Sequence, residues 1–218
     1  MTDYWVRRLS PHRLEGTRDN SFARQGVVKA ARTSETEQAR AAATRRMIDY
    51  YLHSAHGAGT LSYATHSSWP HLQLPEPCPV VTPIALTDRD GALSWYGVEY
   101  PVLIAVIAKA AAGGFNVEAW QLASVISCYL LQAGLWRELL AANEVALAAG
   151  ELGGDTKGQA HAHHWLGQLH RSEGRHAQAH EHLRRALELF QALGESVLVG
   201  QTLLDLGGVG ECLKGRIR

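Results

Sequence analysis

The sequence predicts an all-α chain, a helical-hairpin solenoid preceded by a capping helix and a long Pro-rich loop. Three observations predict it. Five of the seven prolines lie between Gly57 and Thr87 and only Pro101 comes later, so the remainder is nearly free of the residue that most disrupts helices. Gly134, Gly174 and Gly215 recur at intervals of 40 and 41 residues, each after an apolar segment. Alanine is the commonest residue and hydrophobic residues make up 46 %, a composition suited to packed helices.

Each element follows from local chemistry. Residues 1–34 read as a basic, poorly structured segment, with Arg7, Arg8, Arg13, Arg18, Arg24, Lys29 and Arg32 against only Asp3, Glu15 and Asp19 and no clear period. Residues 35–56 read as a helix: Ser34 caps it, Glu35 and Glu37 suit its positive end, and Ala43, Met47, Tyr50 and Tyr51 follow helical spacing. Residues 57–87 read as an extended surface loop, since each proline removes a backbone donor and biases its predecessor away from helix. Residues 88–218 read as helical repeats. Thr87-Asp88-Arg89-Asp90 offers capping oxygens ahead of Ala92, Leu93, Trp95 and Tyr96. Glu99-Tyr100-Pro101 is expected to end that helix and open the next, which Gly113-Gly114 closes.

Charge and cysteine usage exclude several function classes. Lys plus Arg and Asp plus Glu both total 21, so no global field favours nucleic acid or anionic lipid. Cys78, Cys128 and Cys212 are far apart with no C-x-x-C pair, which argues against a disulfide framework or zinc ribbon and for a reducing cytoplasm. The longest apolar run, Pro101 to Ala108, is well short of the ~20 residues that span a bilayer, so no membrane partner is expected.

Shifting the sequence by 40 residues sets Trp120 over Ala160, Ile126 over Leu166, Leu139 over Ala179 and Ala146 over Ala186, matching apolar classes in two helices around each glycine. Leu166-Gly167, the turn at Gly174, and Ala179, Leu183 and Ala186 resemble a tetratricopeptide repeat (TPR), whose small residues let two helices approach closely. His163 and His170 stand where that family usually has Trp and Tyr, no proline closes the unit near Gln191, and the period exceeds the family's ~34 residues. More widely, MIDYYLHSA (47–55), LTDRDGALSWYGVEYPVLIAVIAKAAAGG (86–114) and AWQLA (119–123) resemble the arm after the nucleotide-binding module of actinobacterial AfsR-like and other STAND regulators. No G-x-x-x-x-G-K-[ST] phosphate loop occurs, so the resemblance implies a non-catalytic protein-interaction module of a regulatory system, without cofactor.

TPR geometry would place Gln121, Ser124, Cys128, Leu131, Gln132, His161, His164, Gln168 and Arg171 on a concave groove for a protein or peptide ligand, with Arg171 able to hold a carboxylate. The third copy carries Val199, Leu203, Leu204, Leu206, Val209 and Leu213 up to Gly215, and its open apolar face is expected to self-associate, through Leu203, Leu206 and Leu213, or to dock another chain. Two alternatives have a residue basis. The basic start could touch phosphates, although no helix-turn-helix frames it. His176 and His180, four apart in a helix, could share a metal, although no third ligand or H-E-x-x-H is present and no metal site is assigned. Gly57-Ala58-Gly59 reads as flexible linker and Arg45-Arg46 as an exposed helix face.

Overall fold

The structure is a computed structural model that describes residues 37–66, 70 and 72–215, with side chains from residue 39 to residue 212. The chain divides into units Met1–Ala42 and Ala43–Arg218, and all contacts below lie in the second. The basic segment 1–34 and the proposed cap Ser34 lie outside the described residues. Among those described there are seven helices and no strand: α1 Glu37–Tyr63, α2 Arg89–Ala112, α3 Asn116–Gln132, α4 Trp136–Leu152, α5 Thr156–Ser172, α6 His176–Leu193 and α7 Ser196–Gly215. The chain is all-α.

The helix α1 runs past the expected end near residue 56 and absorbs Gly57 and Gly59. Its buried stripe explains the extension: Met47, Ile48, Tyr51, Leu52, Ala55, Ala58 and Tyr63 recur at helical spacing, and burial along one continuous face outweighs the roughly 1 kcal/mol that a glycine costs a helix. The Pro-rich segment therefore begins after Tyr63, and Gly57-Ala58-Gly59 is helix, not linker. That segment is fastened to α1, since the Cys78 N–H donates to Asp49 Oδ2 at 3.2 Å and the Ile84 N–H to Ser54 Oγ at 3.1 Å. Arg45 is also more than a solvated face. It pairs with Asp49 at 3.2 Å and with Glu118 of α3 at 2.9 Å.

Asp88 caps α2 as expected, its side chain accepting from the Gly91 N–H at 2.8 Å. Pro101 does not break this helix, which continues to Ala112. Tyr96, Glu99, Leu103, Val106, Ile107 and Ala110 form one buried stripe across the proline, and several buried side chains at about 1.5–3 kcal/mol each offset the ~3 kcal/mol of an internal proline. Tyr96 Oη donates to the Ala55 carbonyl at 2.6 Å, and Tyr51 Oη to buried Glu99 at 3.4 Å. By length and composition α2 is apolar enough to cross a membrane, and these contacts tie it into the helical array.

From α2 onward one turn is repeated at a fixed interval. Gly114, Gly134, Gly154, Gly174 and Gly194 all have φ between 62° and 78°, the left-handed region that an L side chain occupies only with strain. The N–H after each glycine reaches back five residues: Phe115 to Ala110, Leu135 to Leu130, Asp155 to Gly150, Arg175 to His170 and Glu195 to Phe190, at 2.8–3.0 Å. This is the Schellman closure of a helix end. The period is thus 20 residues per helix and 40 per pair. Gly134 and Gly174 fit it; Gly215 does not. The period falls on Lys214, and Gly215 is the last residue of α7 rather than a turn.

From α2 onward each helix packs on the next, and α2 on α4, α3 on α5 and α5 on α7. Ala179, Leu183 and Ala186 are fully buried. A Cβ at Gly167 would lie 2.6 Å from Leu183 Cγ, so only glycine lets α6 come this close to α5. Phe190, Leu189, Ala186 and Ala160 form a core patch with Leu198 and Val199 of α7, while Ala179, Leu183 and Val209 form another with Leu206.

Candidate functional site

The expected groove residues are mostly interior. On α3, Gln121, Ser124 and Cys128 are buried, Leu131 is half-buried and Gln132 is exposed. On α5, His161, His164 and Gln168 are buried and only Arg171 reaches solvent. Neighbouring helices cover most of these residues, and α3 is buried on all sides from Ala119 to Cys128. Burial pushes the Cys128 thiol up to about 12, which removes it as a thiolate nucleophile near neutral pH.

The covered face of α5 meets α7 through a polar seam. Gln168 Nε2 donates to Asp205 Oδ2 at 2.6 Å, Arg171 Nη2 donates to Gln168 Oε1 at 2.6 Å, and Arg171 stands 3.9 Å from Asp205. Gln201 Nε2 adds a longer bond to the same carboxylate at 3.4 Å, and Thr202 Oγ1 lies 3.5 Å from His164 Nδ1. Asp205 is buried, so these donors replace the water it loses. Arg171 is therefore already committed to a carboxylate of its own chain.

At the start of α5, Asp155 caps the helix through the Lys157 and Gly158 N–H groups, both at 3.0 Å, and its second oxygen accepts from Trp120 Nε1 at 2.8 Å. Trp120 in turn stacks on His161, with ring centroids 5.4 Å apart and planes within 12°, while Phe190 meets His161 edge-on. Burial, with smaller contributions from His164 and Lys157, lowers the His161 pKa from 6.5 to about 3. Burial also lowers His164, against the opposing pull of Asp205.

The open surface is the other side of α7. Leu198, Val199, Leu206 and Val209 turn inward, which corrects the expectation that the whole apolar set of the third copy is uncovered. Leu206 in particular packs inside. Leu203 is 50 % exposed, Leu204 73 % and Val197 75 %, and the side chain of Leu213 lies outside the described residues. Between these residues Gly207 and Gly208 meet no atom within 4 Å of an added Cβ. In the 40-residue register Gly207 is the counterpart of Gly167, whose bare Cα receives Leu183, and of Ser127, whose hydroxyl accepts from Asn143 Nδ2 at 2.9 Å. The same notch is filled by the following helix in the second pair and bridged by a hydrogen bond in the first; on α7 no described residue enters it. Sequence reasoning missed Gly207 and Val197, although its own 40-residue shift leads from Gly167 to Gly207.

No protein-family model, curated protein or solved structure matches the chain.

Proposed function

We propose that the protein is a non-catalytic interaction module built of TPR-like helical hairpins, and that it binds an amphipathic helix of a protein partner along the outward side of α7. The empty notch at Gly207 carries this reading. In the preceding pair the equivalent glycine seats a leucine from the next helix; Leu203 and Leu204, one turn before Gly207, flank the notch with exposed apolar surface, and Val197, about 15 Å along the helix, extends it. Each such side chain gains about 1.5–3 kcal/mol on full burial, so covering the face is favourable. The partner helix would present a large aliphatic residue to Gly207, the helix-in-groove mode of recognition. The wider resemblance of residues 35–218 to AfsR-like arms supports a place in a bacterial regulatory system.

A fluorescent peptide with the sequence of α6, residues 176–193, carries the leucine that fits the equivalent notch and serves as the probe. Saturable binding to the whole protein is expected, with loss of binding in Gly207→Leu and no loss of thermal stability. Binding that ignores Gly207→Leu would place the interaction elsewhere. Light scattering across a wide concentration range separates this reading from pairing of two copies through α7, in which mass rises with concentration and the same substitution abolishes the rise.

A further inference from the structure

We propose that His163 of α5 and His182 of α6 form a two-histidine clamp for a first-row transition-metal dication, joining the two helices. Their Nδ1 atoms lie 3.0 Å apart, with ring centroids at 5.2 Å and planes inclined by 40°. Two imidazole nitrogens bound to one ion at ~2.0–2.1 Å are separated by roughly 2.9 Å at a right angle and about 3.4 Å at a tetrahedral angle. The observed separation falls inside that window. The pair opens on a cleft of about 190 Å³ lined by His163, Glu181, His182, Arg184 and Arg185. At ~30 Å³ per molecule that space admits several waters to complete the coordination. Arg184 and Arg185, which also line the cleft and oppose a cation there, share the Glu188 carboxylate at 2.9 and 3.1 Å, and Glu181 supplies negative charge in the cleft wall. His170, whose ring centroid is 5.4 Å from that of His182, has its Nδ1 beside Glu173 at 3.4 Å. Among the described residues no group of three or more His, Cys, Asp or Glu converges for a metal. The protein therefore provides two donors and water the rest. Such a site exchanges its ion, follows the order Cu²⁺ above Ni²⁺ and Zn²⁺, and exists only when α5 and α6 are packed. It is distinct from the His176/His180 pair on one helix, which serves as an internal control.

Titration calorimetry of the untagged full-length protein with Cu²⁺ and Ni²⁺ tests the clamp, with thermal melts alongside. One saturable ion per chain is expected, tighter for Cu²⁺, with a rise in melting temperature. His163→Gln and His182→Gln should each weaken binding by roughly tenfold or more and abolish the rise, while His180→Gln leaves both intact. If either clamp variant fails to fold, electron paramagnetic resonance of Cu²⁺ bound to the His180→Gln protein still counts the ligands, and two imidazole nitrogens are expected. Absence of saturable binding would show that the two rings merely share an N–H···N hydrogen bond. Binding insensitive to His163→Gln and His182→Gln, or lost in His180→Gln, would equally overturn the proposal.

Discussion

His161 is enclosed between the face of Trp120 and the edge of Phe190, and its Nε2 meets no hydrogen-bond partner among the described residues. A charged ring there would lose its hydration without replacement, which is why burial leads the causes of its low pKa. The folded protein holds this ring neutral, whereas the unfolded chain protonates it below 6.5. Stability linked to His161 is therefore full above pH 6.5 and falls as the pH drops from there toward about 3. His161→Phe keeps the aromatic packing and removes the proton site. Urea melts should show a shallower loss of stability for this variant between pH 6.5 and 4 than for the wild type, and a difference at pH 7 within about 1.5 kcal/mol. Parallel acid limbs would assign the proton uptake to other groups. Arg171→Glu probes the neighbouring seam: a second carboxylate would replace the guanidinium that reaches Gln168 and faces buried Asp205. Because Arg171 is 42 % exposed, solvent screens the change, and a destabilisation of about 1 kcal/mol is expected in thermal or denaturant melts. Unchanged stability would mean that Arg171 is free to serve a ligand. The spacing of residues 161, 164, 168 and 171 revealed a shared face, but periodicity says nothing of which later helix lies on it.

At the scale of the helix, one residue type has opposite effects at two positions of the same register. A methyl group at Gly167 would collide with Leu183, whereas one at Gly207 would meet open space. Gly167→Ala should destabilise the protein by about 1–3 kcal/mol through overpacking. Gly207→Ala should stabilise it by about 1 kcal/mol through helix propensity alone. Equilibrium denaturation of both variants checks the pair, and equal signs would show that α7 is covered in solution or that α5 and α6 pack less closely than described. These positions also show what was legible. Turn glycines at 134 and 174 stood out because a left-handed residue between apolar helices has few chemical solutions. Pro101 and Gly57 misled because both lower local helix propensity, and the buried stripes of α2 and α1 override them only through contacts with distant residues. Local sequence carries the propensity; the overriding term is tertiary.

For the whole molecule, the order of helices fixes how far a perturbation can travel. Among helices α2 to α7 no contact joins two that are more than two apart in the chain, and α4 does not touch α6. The 40-residue shift made the regular spacing of the turn glycines at 134 and 174 readable in advance. The interior of α3 and α5 was not readable. A 40-residue shift aligns equivalent positions without saying which helices meet, and the contacts of α3 with α5 and of α5 with α7 bury residues that were expected to line an open groove. Coupling through nearest neighbours has a measurable consequence. Asp205→Ala leaves the buried Gln168 amide and Arg171 without their carboxylate and should loosen α7 by about 1–3 kcal/mol. Native-state hydrogen exchange should then show faster opening of α7 and of the α6 residues beneath it, Leu183 and Phe190, while α2 and α3 retain wild-type protection. The lost stability is expected to stay near the substitution, because α2 and α3 have no contact with α7 through which to sense it. An equal fall in protection from α2 through α7 would instead establish a single cooperative unit and refute the nearest-neighbour reading.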